Sequence, residues 1–197
     1  PLFLPNPFLT QANVLNSTTI TNNGSISGTV LFFDGDDTYA GASGSAGRVM
    51  GNAGNDRLEG GALADDFVGG AGADILIGGG GNDRLMGGSG GDTFRGSTAE
   101  FAGDTITDFG RGDRLHFTDA TLASSSVQQT GDTITSFSFQ QTGDTITVGS
   151  TSFNLSGAGS LAFSFRAAAG GGVEVVLADA VRLCDVTYRA MWLGIRT

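Results

Sequence analysis

The chain has 197 residues, a length that suits one good-sized domain or two small ones, and a formal net charge of −10. All ten basic residues are Arg and 17 of the 20 acids are Asp. An acidic surface without Lys argues against nucleic acid and against anionic membranes as partners. A single cysteine, Cys184, excludes an internal disulfide, and no run approaches the ~20 apolar residues of a membrane helix, so no membrane insertion is expected.

Residues 1–31 form a first region. "PLFLPNPFLT" holds all three prolines, Pro1, Pro5 and Pro7, among apolar residues. It reads as an extended apolar strip, since proline fits neither a helix interior nor a central strand. No basic stretch precedes an apolar run here, so no N-terminal secretory signal is expected. "NSTTITNNGSISGTVLFF" alternates around an Asn-Asn-Gly turn and predicts one or two lead-in strands.

Residues 32–119 carry an internal repeat of nine. Clean units begin at Gly69 (GGAGADILI), Gly78 (GGGGNDRLM) and Gly87 (GGSGGDTFR). Degraded ones begin at Gly51 and Gly60, and FFDGDDTYA, 32–40, is a partial unit. The segment GASGSAGRVM, 41–50, is one residue too long, and counting from its first glycine puts Ala46 in the aspartate's place. Each unit ends in three residues that alternate out-in-out, as in Arg57-Leu58-Glu59, and begins with six glycine-rich residues that read as a turn. No unit can bury its apolar residue alone, so the units must stack, two per coil, with Tyr39, Leu58, Phe67, Leu76, Leu85 and Phe94 inside. Stacking then brings an aspartate from every turn into a ladder at about 4.7–4.9 Å spacing. Such a ladder repels itself, and the chain has no Lys to place between the rungs. A hard divalent cation held by carboxylates and by freed glycine carbonyls meets the need; Ca²⁺ takes six to eight oxygens. About five such ions would cancel the formal charge.

These units resemble the RTX (repeats-in-toxin) calcium-binding nonapeptide family. The likeness extends into "GDTITDFGRGDRLHF", 103–117, which is similar to the segment that caps the roll in many such proteins. The resemblance implies an all-β fold, a parallel β-roll, with Ca²⁺ as its ion. It implies type I secretion from a C-terminal signal, and calcium-driven folding outside the cell. By the same resemblance the metal-bearing residues are Asp56, Asp65, Asp74, Asp83 and Asp92, with Asp37 at the partial unit and Asp104 or Asp113 at the cap. Ala46 and Leu63, which replaces a turn glycine, depart from the family pattern.

Residues 120–197 change character. "QQTGDTIT" occurs twice, and "STSFNL", "LAFSF" and "VEVVL" alternate between glycine turns, which predicts an antiparallel β region. The tail from Ala178 holds three arginines and the only Trp, Trp192. Asp132 and Asp144 sit outside the nonapeptide frame and read as turn caps. His116, the only histidine, lacks partners for a triad or zinc site and reads as part of a cap strand. The Arg-Gly-Asp tripeptide at 111–113 is explained by the cap pattern, and Cys184 reads as a buried small residue. A glycosidase would need two carboxylates in different environments, which equivalent turn acids do not supply.

These features predict a secreted, calcium-binding, noncatalytic protein with a structural or assembly role at the cell surface, self-associating through its termini. The alternative is a noncatalytic C-terminal module of a larger secreted hydrolase or polysaccharide-modifying enzyme.

Overall fold

A computed structural model describes residues 17–119, 139–142, 145–148, 151–155 and 163–177. The N-terminal strip, Asp132, Asp144, and the tail with Cys184 and Trp192 lie outside the described residues.

The described chain is entirely strand and turn, wound as a parallel β-roll. One sheet stacks β1 (Thr19–Thr21), β3 (Thr38–Ala40), β5 (Arg57–Glu59), β7 (Ile75–Ile77), β9 (Thr93–Gly96) and β11 (Arg114–Phe117) in parallel. The other stacks β2 (Ser25–Leu31), β4 (Ser45–Ala53), β6 (Asp66–Gly72), β8 (Arg84–Gly90) and β10 (Thr105–Ile106). The chain alternates between the sheets, so successive strands of one sheet are two units apart, as in Leu58 on Leu76. The lead-in strands β1 and β2 are the first rungs of the two sheets.

Inside, two apolar columns face each other. Tyr39, Leu58, Leu76, Phe94 and Leu115 come from the first sheet; Val30, Val49, Phe67, Leu85 and Ile106 come from the second. Nearly all are fully buried. Every coil repeats the same inward position, so each apolar residue rests on its equivalents above and below, and the core is continuous although each unit contributes little. Tyr39 meets Phe67 across the core edge-on, with ring centroids 5.9 Å apart.

Beyond the repeats the pairing becomes antiparallel, as the alternating sequence predicts. β16 (Val173–Leu177) pairs antiparallel with β11, and β15 (Phe163–Ala167) with β16. On the other sheet β14 (Thr151–Leu155) continues in parallel from β10, followed by antiparallel β13 (Thr145–Val148) and β12 (Phe139–Thr142).

Two details depart from the sequence reading. Strands β6 and β8 run on through the glycines that were expected to be turn alone, because stacked identical turns pair in register, Gly70 on Gly88 and Gly72 on Gly90. In the overlong unit the extra residue is absorbed early, where Ala42 adopts a φ of 43°. Val49 therefore pairs with Phe67, and Gly47, not Ala46, stands opposite Asp65. That coil lacks a carboxylate either way.

Candidate metal centre: two columns of buried aspartates

Each turn that follows the glycines delivers its aspartate two residues before an inward apolar residue, so the carboxylate starts at the edge of the core. Asp37, Asp56, Asp74, Asp92 and Asp113 stack along one edge of the roll, and Asp65, Asp83 and Asp104 along the other. All eight are buried, none more than 5% exposed, and with Asn22 they make up the buried polar residues among those described.

A backbone device that the sequence did not reveal holds the columns together. The N–H of Asp56 donates to Oδ1 of Asp74 at 2.7 Å, that of Asp74 to Asp92 at 2.9 Å, and that of Asp92 to Asp113 at 2.9 Å. On the other edge Asp65 N–H donates to Asp83 and Asp83 N–H to Asp104. Each coil thus registers on the next through a charge-assisted bond.

The second carboxylate oxygen has no such partner. Oδ2 of Asp56, Asp74, Asp83 and Asp92, and Oδ1 of Asp65, are buried without a hydrogen bond. A buried, unpaired carboxylate oxygen is costly unless a cation compensates it. In all five aspartates Oδ2 points at the corner where the first glycine of the unit lies; that of Asp65 also accepts from Gly61 N–H. A Cβ on Gly69 would sit 2.3 Å from Oδ2 of Asp74 and 2.6 Å from the carbonyl oxygen of Gly87 in the next coil. A Cβ on Gly60 would meet the carbonyl of Gly78 at 2.1 Å and Oδ2 of Asp65 at 2.3 Å. Carboxylate and carbonyl oxygens from adjacent coils therefore converge on space that only glycine leaves open. Among the described residues no three His, Cys, Asp or Glu side chains gather as a ligand set, so a cation here draws on backbone carbonyls as well, the hard-oxygen chemistry of Ca²⁺.

The electrostatics agree. Burial, first of all, pushes the carboxyls of Asp74 and Asp83 up to about 6, against the hydrogen bonds each accepts. Asp104 is pushed up to about 8, again mainly by burial, with the neighbouring Asp83 charge adding to it. Asp56, Asp65, Asp92 and Asp113 are raised for the same leading reason. Among the described arginines only Arg114 relieves one of them, Asp113, and as the smallest of its influences. Arg48 pairs with Asp66 at 2.6 Å and Arg57 with Glu59 at 2.6 Å through side chains that are at least a quarter exposed or nearly so.

The remaining sequence candidates separate from this centre. His116 lies on β11 with Nε2 2.9 Å from the carbonyl oxygen of Gly171, bracing the β15–β16 hairpin. In the Arg-Gly-Asp tripeptide Arg111 is exposed, but Asp113 is buried and accepts from the N–H groups of Asp92 and Gly110, so the tripeptide's carboxylate is committed inward. Sequence reasoning missed Asp108, whose two oxygens accept from the N–H groups of Gly87 and Gly88, and Asn22, whose amide lies inside the first coil.

Residues 46–62 and 59–94 match the family model described as the RTX calcium-binding nonapeptide repeat, in four copies. No match was found among curated proteins. Repeats of this kind bind calcium, and the unpartnered oxygens, the glycine corners and the converging carbonyls fit that ion. Residues 46–94 thus match the RTX calcium-binding repeat, and the coils on either side of them continue the same parallel β-roll.

Proposed function

We propose that the chain is a secreted protein whose roll folds on calcium outside the cell and serves there noncatalytically, as a structural or assembly element at the cell surface. The observation that carries this reading is the set of buried carboxylate oxygens without partners. Asp56, Asp65, Asp74, Asp83 and Asp92 hold the ions together with glycine carbonyls, and Asp37, Asp104 and Asp113 end the columns. When bound, calcium supplies positive charge between coils that otherwise repel. The chain's own residues do the rest: the aspartate N–H to carboxylate bonds set coil spacing, and the apolar columns exclude water from the edges.

A compartment with little free calcium would leave this chain with high glycine entropy and uncompensated charge, and a calcium-rich exterior would fold it. The noncatalytic reading is supported by access, since a carboxylate that acts on a substrate must reach it and these eight face inward. The assembly reading is supported by edges: among the described strands, β1 and β2 end their sheets on one side, and β15 and β12 on the other. Exposed strand edges recruit strands, and a head-to-tail contact between unlike ends propagates.

Titration of Ca²⁺ into chelated full-length protein tests the folding reading. A cooperative rise in the far-ultraviolet β-signal is expected, with affinity of roughly 10⁻⁴–10⁻³ M, as in extracellular modules. An identical spectrum and melting point in excess chelator and in calcium would reject it.

A further inference from the structure

The corner positions, one per half-coil, form two strings down the roll. Register places Phe32, Gly51, Gly69, Gly87 and Asp108 above one another on the Asp74 edge. On the Asp83 edge it places Asn22, Gly41, Gly60, Gly78, Gly96 and Phe117. Both strings are glycine in the middle and carry a side chain at each end.

Those end residues take the register positions that border the cation space in the middle coils. Phe32 is 3% exposed, belongs to the core and takes the register position that Gly51 holds in the next coil, five residues before Asp37 as Gly51 is before Asp56. None of the fully buried unpartnered oxygens belongs to Asp37, whose Oδ1 accepts from Thr18 N–H. Asn22 fills the other first corner, its Nδ2 donating to Tyr39 Oη and to the carbonyl of Ser45, both at 3.0 Å, and its Oδ1 accepting from Gly24 N–H at 3.0 Å. At the far end Asp108 caps Gly87 and Gly88, and Oδ2 of Asp113 is taken by Gly110 N–H at 2.7 Å. The Gly96 corner faces Phe101, 3.3 Å from a Cβ there, and Phe101 packs on Phe117 with ring centroids 5.0 Å apart. Gly41 has no carboxylate at its corner, since its coil carries Gly47 in the slot; the three atoms nearest a Cβ on Gly41 would all be backbone.

We infer that Phe32 and Asn22 seal the two calcium columns at the N-terminal end of the roll, and Asp108 and the Phe101–Phe117 pair seal them at the other, leaving five open corners at Gly51, Gly60, Gly69, Gly78 and Gly87. The inference rests on the calcium-ligand reading above and sharpens it. Four of these corners, at Gly51, Gly69, Gly78 and Gly87, face an unpartnered buried Oδ2, that of Asp56, Asp74, Asp83 and Asp92; the fifth, at Gly60, faces Oδ2 of Asp65, whose Oδ1 is buried without a partner. The seals are metal-free substitutes: a phenyl ring and a hydrogen-bonded amide take the place of an ion, so the first coil is complete without calcium and Asp37 is a rung of the ladder, not a ligand.

Calcium counting on the full chain tests this, by equilibrium dialysis and by calorimetric titration. The native protein is expected to take five ions. Asp37→Asn keeps five, because the amide oxygen still accepts from Thr18. Gly87→Ala drops to four, since the three atoms nearest its Cβ would all be of Asp92, the closest 2.4 Å away, and its backbone needs no positive φ. Phe32→Gly opens the corner above Asp37 and rises to six; if that variant does not fold, Asp37→Asn and Gly87→Ala decide. A native count of six or more, or loss of an ion in Asp37→Asn, overturns the seal. A native chain that takes no calcium overturns the underlying ligand reading instead, and the two failures are distinct.

Discussion

Asp74→Asn should act in opposite directions with and without calcium. Asp74 is 1% exposed, and its carboxyl in the metal-free fold titrates near 6 against an ordinary 3.8. A shift of about two units corresponds to about 3 kcal/mol at ~1.4 kcal/mol per unit. The folded chain holds the proton more tightly than the unfolded chain. Protonation therefore supports the fold fully below about pH 4, and that support is lost as pH rises through 6. At pH 7.5 in excess chelator the native carboxylate is a liability of this size. Asparagine removes the charge and keeps an oxygen to accept from Asp56 N–H. The variant should then be more stable than the native chain by about 2–3 kcal/mol. Calcium reverses this. A bound ion stabilises by RT ln(1 + [Ca²⁺]/Kd), about 2.7 kcal/mol at 100 Kd, and the variant forgoes one ion. Its advantage should shrink by ~1.4 kcal/mol per tenfold rise in calcium and vanish near 100 Kd. Urea unfolding followed by circular dichroism, with sucrose added to bring the metal-free fold into range, measures both arms. A variant less stable than the native chain in chelator at pH 7.5, or an advantage indifferent to calcium, refutes the reasoning.

Asp104, pushed up to about 8, makes the metal-free fold gain stability as pH falls from about 9 to 7, and Asp104→Asn should flatten that part of the urea-midpoint profile in chelator; an unchanged slope counts against the assigned burial cost. Leu76→Ala empties a fully buried column position and should lose about 2–5 kcal/mol in calcium, while its calcium count at saturation stays that of the native chain. Tyr39→Phe removes the acceptor of Asn22 Nδ2 and should cost about 1 kcal/mol of thermal stability, again with no change in calcium count. Deleting residues 1–10 should lower the oligomeric state seen by light scattering in calcium, and identical monomers for both chains would remove the termini from the assembly proposal.

Much of the roll was readable because its signal repeats. Leu58, Leu76 and Phe94 recur in one frame, and stacking is the only way for such short strands to bury them. The eight aspartates named from the sequence are the eight buried ones among the described residues, since the frame that spaces the apolar residues also spaces the acids. What the frame could not convey was direction. It treats an aspartate as one charge, whereas in Asp56, Asp74, Asp83 and Asp92 the fold separates the two oxygens: Oδ1 goes to the backbone of the preceding coil and Oδ2 to the corner. The sequence argument from mutual repulsion missed that the rungs are also joined by hydrogen bonds. Phe32 and Asn22 were equally hidden, because each reads locally as a strand-end residue. Only register against Gly51 and Gly41 gives them a common place. The overlong unit misled the count for a simple reason: a one-residue insertion moves every later position unless the turn absorbs it, and Ala42 does so.

The glycines answer two different demands, and the distinction bears on how folding and binding are joined. Gly72 has a φ of 140°, and a Cβ there would strike the carbonyl oxygen of Gly54 at 1.9 Å, so it is required by backbone shape with or without metal. Gly69 and Gly87 have no such φ; a Cβ on Gly87 would first meet the Asp92 carboxylate, and one on Gly69 the Asp74 carboxylate and the carbonyl of the next coil. The corner glycines are therefore spatial, kept small so that oxygens from two coils can face a common point. In the metal-free chain that same space leaves carboxylates buried and unpaired while glycine carries its full entropy cost on ordering. One residue choice thus weakens the fold without calcium and creates the place where calcium strengthens it. Where the chain abandons that choice, at Phe32 and Asn22, the corner is filled by side chain and the coil closes on its own contacts. A roll built from both kinds of corner has ends that hold without the ion and a middle that does not, and calcium acts on the segment between the seals.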